Sequence, residues 1–484
     1  MPGGGLLRRV GAQAGAGRGR GRLAAVARRA PHPGPGARPG GRSGGSPPAG
    51  PTGGRCPAVA GLHQLRRLRQ FRGAGPALPG AGPRPGEGGA AIADVRANGR
   101  TLGPPDHLLL AVVIALLVVG LLSLYSASFA IGEQEYGNPN FFIVRQTIFA
   151  LVGLAVMGGL ARLDYRRLRR VSVLLMLASI LGLIAVLLPG VGVVRNGAAR
   201  WLDAGPVEVQ PSELAKLALV LYMSAWLSSR GEHIRDLSLG FLPFVIIVGL
   251  VAGLVLVEPD MGTAVVLVLV ATTLFFLAGA PMKHLALFLA VGALVSYAVV
   301  LTHDYRLARV QTFLSPEADP YGKGFQLVQL KTALASGGLV GLGWGAGRQK
   351  FGFVPGAHTD GVFAIVGEEL GFVGVMAVLA LFAVLVGRGI YVAMRVRDPF
   401  GRLVAAGVSA WLGYQTLINV GGISGLIPLT GIPLPFFSYG GSALIANLAA
   451  VGLLLSVSRH VQAEEGLRAA AGGWWRGSPR RRGV

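Results

Sequence analysis

The sequence is poor in cysteine and in charge. Its single cysteine, Cys56, allows no intramolecular disulfide and excludes a cysteine metal cluster. Charged residues make up 14% of the 484-residue chain, whereas a soluble domain carries roughly 25%. The deficit is concentrated between residues 105 and 458. No apolar segment with a cleavage site stands near Met1, so the first long apolar run, starting near Leu108, is expected to act as the insertion signal itself. The apolar runs do not alternate with period two, which argues against a porin-like barrel. No second His or Cys stands at ligand spacing from His358. No internal repeat of the kind that marks inverted-repeat transporters is seen.

What is abundant is apolar sequence. Hydrophobic residues make up 52% of the chain, and mean hydropathy is +0.57. Runs of about 18–25 apolar residues recur, each long enough to cross a hydrocarbon core of roughly 30 Å. Without water to bond the backbone, such runs read as helices. The reading is therefore all-α: a polytopic membrane protein of about ten transmembrane helices. They are expected over 107–129, 142–160, 171–189, 212–229, 240–257, 261–279, 284–301, 361–388, 403–428 and 440–458.

Lys and Arg set the orientation. Arg162 to Arg170, Arg230 and Arg235, Lys283, Arg388 to Arg402, and the tail from Arg459 fall in alternate connections. That places them all in the cytoplasm, with both termini inside and the cell membrane as the location. The opposite loops are acidic or mixed, with Glu133, Glu135, Asp203, Glu208, Glu258 and Asp260. One outer segment, 302–360, lies between helices seven and eight and is far longer than the rest. Loops of that length are usually functional or linkers. Its stretch Gln326–Leu342 is apolar enough for a half-inserted helix.

The net charge of +23 suggests nucleic acid until its location is considered. Residues 1–100 hold 17 Arg, no Lys and two acids, a net +15 from one tail. Rich in Gly, Ala, Pro and Arg, this tail buries too little apolar surface to offset ordering entropy and reads as disordered. A cytosolic tail near anionic lipid is favoured over nucleic-acid binding, and a start nearer Val95 would remove the tail altogether. The domain reading is thus a basic tail over 1–100, a membrane domain over 105–459 and a second basic tail over 460–484.

Four constellations could carry chemistry. The first runs from Gly352 through His358, Thr359 and Asp360 to Glu368, Glu369 and Gly371. Asp360 stands at the outer mouth of helix eight, and the two glutamates lie about two turns deeper. Acids in a span are costly and mark function by default, but an Asp at a helix start also caps free N–H groups. The residues leave Asp360 open between cap and catalyst, and favour packing over metal ligation for His358. The second holds Arg200, then Gln210-Pro211-Ser212-Glu213 and Lys216. Glu213 and Lys216 share a helix face, and a structural ion pair is the favoured reading. The third, Glu258-Pro259-Asp260-Met261-Gly262-Thr263, reads as a turn with Asp260 capping the next helix. The fourth is Asn419 with Gly425–Ser442, where prolines and glycines interrupt the backbone before Ser438 and Ser442. Irregular backbone at membrane depth survives only when buried in protein or lining a wet cavity. A match to the dinucleotide fingerprint at Gly341–Ala346 lacks a preceding strand and is set aside.

Taken in order, AARWLDAGPVEVQPSELAK, EPDMGT, YRLARVQTFLSPEADPYGKGFQL, GFVPGAHTDGVFAIVGEELG and GLIPLTGIPLPFFSYGGSAL resemble the SEDS family, the FtsW/RodA group of cell-wall synthases. The DHLLL and SLYSAS of helix one and QPSELAKLALVLY lean to the FtsW branch. The resemblance implies a peptidoglycan glycosyltransferase. It would polymerise lipid II into glycan strands on the outer face of the cytoplasmic membrane, release undecaprenyl diphosphate and serve septal wall synthesis. It implies Asp360 as general base on the acceptor 4-hydroxyl. Arg200, Lys216, Arg306, Arg309 and Lys350 are candidate cations for the diphosphate. No tightly bound cofactor is implied, and a divalent cation, Mg or Mn, would assist the leaving group. The implied partners are a class B penicillin-binding protein acting as transpeptidase, other division proteins, the lipid-linked glycan and the membrane, with no nucleic acid. Many members have Glu at Gly352 and Gly356 and Phe at Gly361, so this loop is expected to be less acidic and Asp360 more isolated. Two other functions compete. A lipid II flippase needs a polar path through the whole bilayer, and a non-catalytic division scaffold would leave Asp360 free to vary.

Overall fold

The computed structural model describes residues 103–476, apart from 196, 197, 204, 206, 302 and 303; the basic tail expected over 1–100 lies outside them. Among the described residues are twelve α-helices and one small sheet. The first three helices are α1 (His107–Tyr136), α2 (Phe141–Arg162) and α3 (Leu168–Leu187). Strands β1 (Gly192–Arg195), β2 (Ala198–Asp203) and β3 (Glu208–Val209) follow. Next come α4 (Pro211–Arg230), α5 (Leu242–Val257), α6 (Met261–Leu277), α7 (Met282–Leu301), α8 (Asp304–Leu314) and α9 (Phe325–Ser336). The last three are α10 (Val362–Arg395), α11 (Pro399–Ser424) and α12 (Gly441–Arg476). All ten expected spans are present, as α1 to α7 and α10 to α12. Eight of them are long and apolar enough to cross a membrane. Of the other two, α6 is a shorter apolar helix, and α4 carries the Glu213 and Lys216 charges, both buried.

Local sequence explains where these helices start and stop. Asp106 caps α1 by accepting from the Leu109 N–H at 3.1 Å, and its other oxygen receives Arg388 Nε at 2.6 Å. Asp398 caps α11 through the Gly401 N–H at 3.0 Å, with Pro399 in the first turn where no N–H is needed. Asp260 caps α6 through the Thr263 N–H at 3.0 Å. At the far end of α1, Gly137 adopts φ 61°, and its N–H closes on the Glu133 carbonyl.

The bundle is centred on α11 and α12. In α12 83% of the membrane-length stretch is buried, against 11% in α7, so α7 lies at the periphery. The main packing pairs are α2 on α12, α10 on α11, α3 on α4 and α1 on α10. The sheet, a local exception to the all-α design, is an antiparallel meander in which Gly192 pairs with Leu202, and Leu202 with Val209.

Two irregular segments enter the bundle. The first breaks α10 at Gly371 (φ 66°, ψ −167°). The freed groups are recovered by the chain that follows α9. Phe372 and Val373 donate to the Gly338 and Leu339 carbonyls at 2.9 and 3.0 Å. Leu342 and Gly343 donate to the Glu368 and Glu369 carbonyls, both at 3.0 Å. The segment 302–360, expected as a loop with a half-inserted helix, therefore contains α8 and α9, and the non-helical chain after α9 repairs a broken span. The second irregular segment, 425–440, passes so close to α1 that a Cβ on Gly120 would overlap the Phe436 carbonyl.

Gly120 thus marks a close backbone approach in the core. Gly120→Leu is expected to lower the melting temperature and yield of detergent-purified protein, at a cost of about 1–3 kcal/mol or more for overpacking. Gly249→Leu on α5, where no atom lies within 4 Å of the added Cβ, is expected to leave both near wild type.

Candidate active site

A cavity of about 640 Å³ opens at the end of the bundle that carries the sheet. It is lined by α1 and α2, by β2 and its flanks, by the start of α6, and by the two loops that precede α10 and α12. Of the residues singled out from the sequence, Arg200, Asp260, His358, Thr359, Asp360 and Ser442 line it.

Asp360 sits one residue before Gly361 and the first turn of α10, but its side chain caps no helix: the α10 cap position is Gly361 and shows no side-chain cap bond. The Thr359 hydroxyl lies 3.0 Å from Asp360 Oδ1 and 3.1 Å from the Gly356 carbonyl. Asn419 Nδ2 donates to the Asp360 carbonyl at 2.9 Å and to that of Ile432 at 2.8 Å, tying the loop to the 425–440 segment. Gly356 has φ 69°, and a Cβ there would come within 2.6 Å of Asp360 Oδ1. Glycine therefore keeps a side chain off the carboxylate. Burial pushes the Asp360 carboxyl above its ordinary value, while the Thr359 hydroxyl, the backbone and the Arg309 charge oppose the shift. Arg309, on α8, donates to the Leu429 carbonyl at 3.1 Å. His358 is pushed down to about 4 by burial, so it is neutral at neutral pH. Its ring packs 4.7 Å from Phe142.

The remaining candidates support the site from behind. Lys216 donates to Glu213 at 2.9 Å and to Gln415 Oε1 at 2.7 Å, fully buried. Gln415 Nε2 in turn holds the Pro433 carbonyl at 2.9 Å. Lys350 donates to Glu369, Ser126 and the Gly345 carbonyl at 2.7, 2.8 and 2.7 Å. Glu368 accepts from the Arg348 N–H at 2.7 Å and the Gln349 N–H at 3.2 Å. These two glutamates pin the chain after α9 onto α10. Arg306 is buried and donates to the Val299 and Leu256 carbonyls, which joins α7 to the end of α5. The Ser438 hydroxyl accepts from the Leu434 N–H at 2.8 Å. Ser442, by contrast, lines the cavity, and its Oγ accepts from the Gln210 N–H at 3.3 Å.

Sequence reasoning missed Arg145 and the aromatic wall of Tyr136, Phe141, Phe142 and Tyr439, all of which line the cavity. A signal was present: Arg145-Gln146 interrupts the apolar run of α2. Gln146 bonds the Ser438 carbonyl at 3.1 Å and the Gly440 N–H at 3.2 Å. Three cations thus remain near the cavity, Arg145, Arg200 and Arg309. Arg200 Nε donates to the Glu258 carbonyl at 3.1 Å, and its Nη2 to that of Pro259.

Glu258 itself is fully buried, with no hydrogen-bond partner for either carboxyl oxygen among the described residues. Burial foremost, then Asp260, push its pKa up to about 8 against the pull of Arg200. A raised folded-state pKa stabilises the fold fully below the ordinary carboxylate range, and that contribution is lost as pH rises through about 8. Melting temperature is therefore expected to fall across that window in wild type and to stay flatter in Glu258→Gln, as read by differential scanning fluorimetry in detergent.

Residues 106–463 match the FtsW/RodA/SpoVE family model, described as cell cycle protein. Stage V sporulation protein E of Bacillus subtilis is 41% identical over 356 residues, covering 74% of this chain and 97% of that protein. A probable peptidoglycan glycosyltransferase FtsW of Geobacter metallireducens is 39% identical, covering 74% and 95%. Among solved structures, a chain of a peptidoglycan synthase complex, studied for the coordination of polymerization and crosslinking, superposes with a TM-score of 0.62 at 34% identity. It covers 74% of this chain and 98% of that one. The rod shape determining protein RodA of Thermus thermophilus superposes with a TM-score of 0.55 at 32% identity, covering 73% and 97%. With three quarters of its length matched by sequence and by fold, and its conspicuous motifs gathered round one cavity, this multi-pass membrane protein belongs to the FtsW/RodA/SpoVE family.

Proposed function

We propose that this protein is a peptidoglycan glycosyltransferase that polymerises lipid II into glycan strands at the non-cytoplasmic face of the cell membrane, in the service of division. The observation that carries the reading is Asp360: a carboxylate of raised basicity, held by Thr359 at the wall of a cavity that also presents Arg145 and Arg200. Relatives named as probable peptidoglycan glycosyltransferases support the reaction class. The Lys/Arg-rich connections leave the opposite end of the bundle, which supports the orientation.

In the proposed reaction the acceptor's 4-hydroxyl oxygen attacks the donor's anomeric carbon. Its proton passes to Asp360, the new O–C bond forms, and the anomeric C–O bond to diphosphate breaks. The electron pair leaves with undecaprenyl diphosphate. A general base must lie within hydrogen-bond reach of the hydroxyl, and burial raises its proton affinity. The growing negative charge on the leaving diphosphate is met by guanidinium groups, which suit phosphate geometry. Neutral His358 adds no charge to that set.

A divalent ion fits this cavity as a guest of the substrate. No cluster of three or more His, Cys, Asp or Glu capable of holding a metal exists among the described residues. Mg²⁺, however, typically takes one or two carboxylates and completes its shell with phosphate and water. Asp260, at the cavity wall, would supply such an oxygen while still accepting from Thr263 and Gln210. When bound, the ion would neutralise charge on the diphosphate.

The flippase reading finds less support. Towards the other end of α11 and α12, Leu403–Val408 and Val451–Leu455 are buried and, with the two glycines among them, apolar throughout. These stretches offer no polar lining for a lipid headgroup. The superposition on a chain of a peptidoglycan synthase complex, studied for its coordination of polymerization and crosslinking, supports a crosslinking partner, for which we propose a class B penicillin-binding protein.

Two outcomes test the reading. Purified protein with its cognate transpeptidase is expected to convert labelled lipid II into strands resolved on a gel. Asp360→Asn should lower the rate at least a hundredfold, the usual worth of a general base. Strands from both at equal rate would exclude Asp360 as the base. The rate should also fall as pH drops and Asp360 takes up a proton, with the midpoint above the ordinary aspartate range. A midpoint at or below that range would contradict the assignment.

A further inference from the structure

One wall of the cavity is aromatic in a way that proton transfer and diphosphate binding do not use. The turn from α1 to α2 folds back on itself: Gly137 is left-handed, and the Asn138 N–H returns to the Gly132 carbonyl at 3.2 Å. This brings Tyr136 and Phe141 face to face, with ring centroids 3.8 Å apart and planes inclined by 8°. The Arg145 guanidinium carbon lies 4.9 Å from the Phe141 centroid. With Tyr136 on one face of Phe141, that cation occupies the other. Phe142 meets the Tyr136 ring edge-on at 5.6 Å. Tyr136 is thus braced from behind and from the side, yet it remains 50% exposed. Trp201, from β2, lines the same cavity and is half-buried.

An aromatic pair at the end of a membrane helix has an ordinary explanation, the interfacial belt that meets lipid headgroups. Belt residues face lipid, whereas Tyr136 and Trp201 face a cavity they share with Asp360. Depth separates sugar from lipid tail as the occupant. α1 has 30 residues, about 45 Å of helix at 1.5 Å each, against a hydrocarbon core of roughly 30 Å. Its Tyr136 end therefore stands in the headgroup or aqueous layer. A pyranose ring presents a face of C–H bonds that is apolar and slightly positive, and an aromatic face is apolar and negative. Polar groups for the ring hydroxyls stand in the same wall, at Glu135, Glu208 and Gln210.

We infer that Tyr136, backed by Phe141 and joined by Trp201, is a stacking platform that positions a pyranose ring of the carbohydrate substrate. This rests on the glycosyltransferase reading for its substrate class and goes beyond it in naming the residues that hold the sugar. Rigid support from Phe141 and Phe142 means little ordering is needed on binding.

The test uses full-length protein in detergent and a soluble probe, the β-1,4-linked tetramer of N-acetylglucosamine, followed by saturation-transfer NMR. Wild type and Tyr136→Phe are expected to bind alike, and Tyr136→Leu about tenfold more weakly, the scale of one lost aromatic contact. With lipid II, Tyr136→Leu should raise KM and shorten strands more than it lowers kcat. No binding of the tetramer by wild type, or equal binding by Tyr136→Leu, overturns the platform. Where Tyr136→Leu melts below the assay temperature, Trp201→Leu serves in its place with the same outcomes. Asp360→Asn separates the two ideas, because it should bind the tetramer as wild type does. If Tyr136 governs binding while Asp360→Asn still polymerises, the base assignment fails and the platform stands. If Asp360→Asn is inactive while Tyr136→Leu binds normally, the platform alone fails.

Discussion

Backbone satisfaction without water is the constraint on which the rest of this molecule depends. A helix meets it internally, but a polar cavity at membrane depth requires chain that is not helical. The protein makes two such interruptions and repairs both with protein groups. At Gly371 the chain after α9 supplies four hydrogen bonds across the break. Along 425–440 the repair comes from side chains: Gln146, Gln415 and Asn419 reach into the segment from α2 and α11. Remove any one of these amides and a buried backbone group loses its partner, at roughly 1–3 kcal/mol each. The amides do not touch the reacting atoms, but they determine where the site's loops can sit.

The same low dielectric sorts the charges. Lys216 and Lys350 are buried with carboxylate partners, because an ammonium buried there without a partner would carry its full desolvation cost. Each pair then acts as a clamp. Lys216 reaches the 425–440 segment through Gln415, and Lys350 ties α1 and α10 to the chain after α9. Guanidinium groups, by contrast, remain at the cavity. Arginine keeps its charge when partly desolvated, so Arg145 and Arg200 can face a diphosphate while still bonded to ring faces or carbonyls. Arg306 is an exception, buried against the Val299 and Leu256 carbonyls that it joins; at the cavity itself arginine suits a charge that is only partly desolvated.

Much of this was legible in the sequence, and what was not has a physical reason. The spans were readable because a run of apolar residues near bilayer length has few other uses. The second irregular segment was readable because three prolines and several glycines cannot continue a helix. The break in α10 was not, because Gly371 is a single glycine in an apolar run, tolerated in many helices. Only the distant segment 337–343 makes it a break, and that pairing has no local signature. In the sequence Asp360 reads equally as a cap; the structure gives the α10 cap position to Gly361 and leaves the carboxylate beside Thr359. The sheet was missed because its strands are two to six residues long, too short for a period to show. The aromatic wall was missed for a different reason: Tyr136 and Phe141 flank a turn, and aromatics at membrane ends are ordinary.

How Asp360 is balanced follows from these pieces. A carboxylate paired fully with Arg309 would have its proton affinity lowered and would serve poorly as a base near neutral pH. Arg309 instead donates to the Leu429 carbonyl and acts on Asp360 as a nearby charge. Desolvation is the larger effect and raises the proton affinity, while Thr359 keeps the ionised form oriented. Gly356 completes the arrangement. Its left-handed backbone turns the loop so that a Cβ would fall against the carboxylate, and glycine leaves that space open. An acidic or bulky residue at this position would change two things together, the backbone angle and the room beside Oδ1. The glycine-rich loop thereby leaves a half-buried carboxylate of raised proton affinity open to the cavity.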